Sequence, residues 1–289
     1  ITLKDTSISS SDANVSVEGS TATITAAGTY SLSGALNDGQ VVVDTKDEEL
    51  VRLILDGVEI HNATSAPLFI ANAEEVMIVL ADGSENTLTD GDAYVYASAD
   101  EDEPNAAIFS KADLTITGTG ALTVEGNDND AITSKDGLVI HSGTIVVTAA
   151  DDGIRGKDYL VIEDGDITVN AQGDALKADN EEDTDRGFIA LLGGTLDLTA
   201  GGDAMDAETD VLIATGNVNI VSGGGSGSAV GEDDSAKGIK GSVAVIIDGG
   251  TLAIDAADDA VHSNGAIVIN EGVLQIAAGD DAIHADATV

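Results

Sequence analysis

The chain has 289 residues, 53 of them Asp or Glu against 11 Lys plus Arg, and a formal net charge of −42 at pH 7. Such a charge repels nucleic-acid phosphates and anionic membrane surfaces and favours cations, so no nucleic-acid partner is expected. No cysteine is present, so disulfides contribute nothing, and no run of about 18 apolar residues offers itself for membrane insertion.

Strongly acidic chains are often disordered, but here 43% of residues are hydrophobic and they fall in short, regular runs. Residues 1–104 are the less regular part. Stretches 2–6, 14–17, 21–26, 40–43, 51–55 and 76–80 read as strands rich in Val, Ile, Leu and Thr. They are expected to form irregular, capping coils at the start of the fold. Ala106-Ala107-Ile108, followed by Lys111, looks like the first regular repeat.

From there an Asp-small-aliphatic tripeptide recurs: Asp130-Ala131-Ile132, Asp152-Gly153-Ile154, Asp174-Ala175-Leu176 and Asp203-Ala204-Met205. It continues as Lys237-Gly238-Ile239, Asp259-Ala260-Val261 and Asp281-Ala282-Ile283. The steps are 22, 22, 29, 34, 22 and 22 residues. The turn glycines Gly143, Gly165, Gly194, Gly216, Gly250 and Gly272 step by 22, 29, 22, 34 and 22. Two markers thus agree on the period and on two insertions, 179–186 and 223–235, which are polar and should protrude. Each repeat reads strand, Gly turn, strand, acidic turn, with no competing helical period.

The pattern predicts an all-β chain: a right-handed, single-stranded parallel β-helix, a solenoid with about 22 residues per coil. Regular coils would occupy 105–289, continuing 1–104 as one domain. Equivalent residues would then line up about 4.8 Å apart.

The resulting acid columns supply the candidate metal ligands Asp130, Asp151, Asp152, Asp174, Asp203, Asp258, Asp259, Asp280 and Asp281. Carboxylates at that spacing repel by roughly 3–4 kcal/mol per pair at an effective dielectric near 20, unless they are splayed into water or bridged. Calcium, which takes six to eight oxygens, is the expected cofactor; the scarcity of His and lack of Cys argue against zinc or copper. The alternative is a solvated acidic face capping turn N–H groups.

Three residues on, a second column runs Thr133, Arg155, Lys177, Asp206, Lys240, His262 and His284, and Lys237 replaces Asp in the first. These cations either neutralise the aspartates or meet the carboxylate of an acidic sugar. The candidate carbohydrate-binding residues are Arg155, Lys177, Lys237, Lys240 and His262. With calcium, Lys237 or Lys240 could instead act as base in a uronate β-elimination. No catalytic residue is assigned, and binding without catalysis is favoured.

Asp151-Asp-Gly-Ile-Arg-Gly-Lys-Asp158, Asp234-Ser-Ala-Lys-Gly-Ile-Lys240 and Asp258-Asp-Ala-Val-His-Ser-Asn264 resemble the repeats of secreted bacterial carbohydrate-binding β-helix proteins, a family first described as a domain of unknown function. Ile24-Thr-Ala-Ala-Gly-Thr-Tyr-Ser-Leu-Ser-Gly34 and Ala81-Asp-Gly-Ser-Glu-Asn-Thr-Leu88 are similar too. The resemblance implies a fold related to calcium-dependent pectate lyases, calcium binding, and polysaccharide partners such as cellulose and uronate polymers, without established lyase activity. It also implies an extracellular or cell-surface location. A start at Ile1 with no signal peptide reads as a processed, secreted chain. The stop at Val289, in mid-coil, motivates a further alternative: calcium-stabilised fibres built by head-to-tail self-association.

Overall fold

A computed structural model describes residues 1–231 and 234–289. The expected insertion at 223–235 includes residues 232 and 233, which lie outside the described residues. The described residues form β-strands joined by turns, and the chain divides into two compact units, Ile1–Ala150 and Asp151–Val289.

The expected right-handed, single-stranded β-helix is corrected. The strands sort into two large sheets, twenty in one and twelve in the other. Two antiparallel pairs open the chain, Thr2–Asp5 with Ser7–Ser9 and Val15–Glu18 with Thr21–Ile24. The physical reason for the large sheet lies in the first unit. There the 12-residue strand Val51–Asn62 pairs through Val51–Leu55 with Glu75–Leu80, and through Glu59–Asn62 with Glu85–Asp90. One long strand therefore fuses two rows of strands that the repeat pattern alone would keep apart.

Within the first unit the apolar residues of paired strands stack in register, as in Leu53, Ile78, Ile116 and Ile140. All four are fully buried, and each contributes about 1.5–3 kcal/mol of burial free energy. Phe109 is buried against Ala66 and Ala106, with Phe69 beside it.

The second unit shows why its residues make strands. Asp166–Ala171, Thr195–Ala200 and Asn217–Ser222 alternate strictly between exposed and buried side chains, the period-two signature of a half-buried sheet. Their inward residues align as Ile167, Leu196 and Val218, continued by Leu252 and Leu274. Outward they present mostly short polar groups: Asp166, Thr168 and Asn170, then Thr195, Asp197 and Thr199, then Asn217 and Asn219, with Val221 the apolar exception. The turns before these strands carry Gly in left-handed conformations. At Gly194 (φ +90°) a Cβ would also lie 2.8 Å from the Gly165 carbonyl oxygen, so the close approach of successive turns requires glycine.

A candidate site of paired acids and cations

Short strands of the second unit build the row that the sequence singles out. Ile154–Gly156, Leu176–Ala178, Met205–Ala207, Ile239–Gly241, Val261–Ser263 and Ile283–Ala285 pair in parallel and in register. Through the first five, the aliphatic first residue and the small third residue are buried, so the middle side chain must face outward. Arg155, Lys177, Asp206, Lys240, His262 and His284 thereby become neighbours in one half-buried row.

Beside this row the aspartates divide their two oxygens between two tasks. One oxygen accepts a backbone N–H from the next repeat: Asp152 from Asp174 at 2.9 Å, Asp174 from Asp203 at 2.8 Å, Asp203 from Lys237 at 2.6 Å and Asp259 from Asp281 at 2.9 Å. The other faces a lysine ammonium or an imidazole nitrogen. Lys177 Nζ lies 3.0 Å from Asp152 and 2.8 Å from Asp174, Lys240 lies 3.3 Å from Asp203 and 3.0 Å from Asp206, and His262 Nδ1 lies 2.8 Å from Asp259. Lys237 occupies the aspartate position of its own repeat and reaches Asp258 at 2.5 Å. Arg155 forms a two-point pair with Asp179 at the start of the first insertion. The repulsion inherent in stacked carboxylates is thus offset by hydrogen bonds and interleaved cations.

Burial and charge act against each other here. Burial would lower the proton affinity of Lys177 and Lys240, yet the flanking aspartates prevail and both are raised. Burial raises the Asp152 and Asp206 carboxyls, with Lys177 and Lys240 respectively pulling the other way. Asp258 is lowered: burial opposes, but the Lys237 ammonium wins. The column assigned as cationic therefore consists largely of groups already engaged with acids.

Two purely acidic sets in this unit bring carboxylate oxygens within 4.8 Å of one another: Asp174, Asp203 and Asp206, and Asp258, Asp259 and Asp280. In the first, Lys240 already supplies positive charge. In the second, Asp280 is exposed and Asp258 half-buried, so an approach from solvent exists. All three donors are hard oxygens, which fits calcium; backbone carbonyls and water would have to complete its six to eight ligands.

Other expected ligands are placed differently. Asp130, in the first unit, is buried and accepts the Thr133 hydroxyl at 2.9 Å. Asp151 is exposed, and its carbonyl accepts the Gly173 N–H at 2.9 Å. Asp281 turns its carboxylate toward His284, 3.4 Å away. Sequence reasoning missed Asp206 as a member of an acid set, although register counting places it in the row. It also missed Glu103, which bridges Lys111 at 2.9 Å and Lys135 at 2.8 Å in the first unit. Glu103 sits outside the repeat pattern, and no spacing signal marks it.

Comparison with known proteins adds the decisive observation. The family described as carbohydrate-binding domain-containing protein matches residues 18–282. The chain belongs to that family. A carbohydrate-binding domain-containing protein of Acetivibrio thermocellus is 49% identical over 201 residues, 70% of each chain. Among solved structures, the polysaccharide lyase-like protein from C. thermocellum, a gadolinium derivative, is similar with a TM-score of 0.75 and 38% identity. That likeness covers 77% of this chain and 90% of the other. For a carbohydrate-binding domain, the acid–cation row and the outward Asp/Asn/Thr array are two chemically distinct, repeating surfaces. Its aromatic content, 2% with no Trp, leaves little material for the ring-stacking platforms that sugars often use.

Proposed function

We propose that this carbohydrate-binding domain is a calcium-dependent, non-catalytic module for acidic, uronate-containing polysaccharides, working outside the cell. The observation that carries the reading is the Asp258, Asp259 and Asp280 set, three carboxylates within 4.8 Å beside the cationic row and open on the Asp280 side. Asp258, Asp259 and Asp280 would hold the ion, whose bound form supplies positive charge for a uronate carboxylate. Lys237 stands next to these acids, bonded to Asp258, and offers N–H donors at the same edge. The similar lyase-like protein was solved as a gadolinium derivative, and gadolinium, like calcium, is a hard cation that prefers oxygen ligands. An elimination reaction is disfavoured, because a base needs a lysine that releases its proton readily and Lys240 is shifted the opposite way.

The test is a binding isotherm for polygalacturonate in calcium and in excess EGTA, for wild type and Asp280→Asn. Binding in calcium, its loss in EGTA, and a clear weakening in Asp280→Asn are expected. Equal binding in calcium and EGTA would overturn the calcium dependence, and no binding in either would overturn the uronate reading. Cellulose is the second polymer to assay, because the outward Asp/Asn/Thr array offers hydroxyl partners and Asn219 already bridges to Asp197 at 2.7 Å across adjacent strands. Binding there should persist in EGTA.

A further inference from the structure

The last two short strands of the second unit carry a mixed nitrogen–oxygen cluster around Asp259, an acid that the proposed calcium set shares. His262 and His284 are direct partners on the paired strands Val261–Ser263 and Ile283–Ala285, with ring centroids 5.1 Å apart. Both Nδ1 atoms turn toward one carboxylate oxygen of Asp259, at 2.8 Å from His262 and 3.6 Å from His284. Asp281 adds an oxygen 3.4 Å from His284 Nδ1. On the far side of each ring, His262 Nε2 faces Asn264 Oδ1 at 3.0 Å and His284 Nε2 faces Asp286 Oδ1 at 3.3 Å.

A neutral imidazole has one N–H. With that proton on Nε2, each Nδ1 is available to an ion between the rings and Asp259; with the ring protonated, the same acids hold an imidazolium, whose proton the ion must displace. The same arrangement, with an outer oxygen fixing the tautomer and the inner nitrogen aimed at a shared point, is how histidine ligands are oriented around a metal. Zinc bonds of about 2.0–2.1 Å to N and O place tetrahedral ligands about 3.3–3.4 Å apart. The 3.4 and 3.6 Å separations match that edge, and the 2.8 Å contact needs the His262 ring to withdraw by about 0.5 Å. Asp259 is 3% exposed, so one ligand is held firmly inside while His284 stays accessible.

We propose that Asp259, His262 and His284 form a binding site for a borderline divalent ion of the zinc class, with the exposed Asp281 beside His284 able to swing in as a fourth ligand; the site shares Asp259 with the all-oxygen acid set, so the two ions compete there. It departs from the expectation that the scarcity of histidine argues against zinc: four histidines suffice when the repeat stacks two of them.

The test is calorimetric titration of the metal-free 289-residue chain with zinc chloride at neutral pH in calcium-free buffer. Cobalt(II) absorption spectra serve as the second readout. One zinc equivalent is expected, with intense tetrahedral-type cobalt bands. His284→Ala should abolish or greatly weaken uptake, and Asp281→Asn and Asp286→Ala should each weaken it, Asp286→Ala by about 10–100-fold. Circular dichroism confirms that each variant stays folded, and Asp281→Asn, being exposed and isosteric, covers the case in which His284→Ala perturbs the last repeat. No zinc uptake by wild type, or uptake unaffected by both His284→Ala and Asp281→Asn, would overturn the proposal. Polygalacturonate binding is read separately, in calcium without zinc, where His284→Ala should leave it unchanged, so the two readings fail distinguishably although Asp259 serves both.

Discussion

At the scale of single residues, the least obvious energetic feature is Asp90 in the first unit. It is 1% exposed and accepts hydrogen bonds from the Tyr94 hydroxyl at 2.7 Å and the Asn127 N–H at 2.5 Å. Burial pushes its carboxyl up from 3.8 to about 6, outweighing those hydrogen bonds, with Asp128 adding to the rise. The sign follows from linkage. The fold favours the protonated acid, so this group's stabilising contribution is complete below about 3.8 and is lost as pH rises through about 6. Asp90→Asn keeps an acceptor for Asn127 and removes the charge. It should therefore stabilise the protein by about 1–2 kcal/mol near pH 8, after discounting for solvent screening, and by little near pH 4. Thermal unfolding of both proteins at the two pH values measures this. A variant less stable than wild type near pH 8 would mean that Tyr94 and Asn127 require the ionised carboxylate.

At the scale of elements, the aspartate row acts as a set of clips between repeats. Asp203 is heavily used: it accepts the Lys237 N–H and the Ser235 hydroxyl, and faces Lys240 at 3.3 Å. Its side chain is buried, so truncation strands the Lys237 N–H and the Ser235 hydroxyl and leaves Lys240 with Asp206 alone. Asp203→Ala should cost about 3–5 kcal/mol, and Asp203→Asn, which keeps one oxygen, about 1–2 kcal/mol. Urea unfolding distinguishes them; equal losses would show that the charge, and not the acceptor geometry, holds the clip. Much of this row was legible beforehand. Turn glycines and Asp-small-aliphatic tripeptides fix the repeat, and counting three residues on finds Arg155, Lys177, Lys240 and His262 in one line. What the pattern conceals is that the cations are already taken, because Lys177 reaches back to Asp152 as well as to Asp174. The sheet architecture was hidden for a different reason. Alternating apolar residues reveal which face is buried, but not that Val51–Asn62 is long enough to pair with two strands and merge their rows.

At the scale of the whole molecule, two electrostatic effects of opposite salt dependence compete. The net charge of −42 makes exposed acids repel one another over long distances, while ion pairs at 2.8–3.3 Å attract over short ones. Salt shortens the Debye length from about 30 Å at 0.01 M to about 10 Å at 0.1 M, which removes long-range repulsion first. The close pairs are half-buried and hydrogen-bonded, so they are screened much less. Sodium chloride should consequently raise the melting temperature across that range at neutral pH, with the gain flattening once the screening length falls below the spacing of the exposed acids. Differential scanning calorimetry in EGTA isolates this effect from that of divalent ions. A melting temperature that falls with salt would reverse the ranking, making the acid–cation pairs the dominant electrostatic contribution and the net charge a minor one.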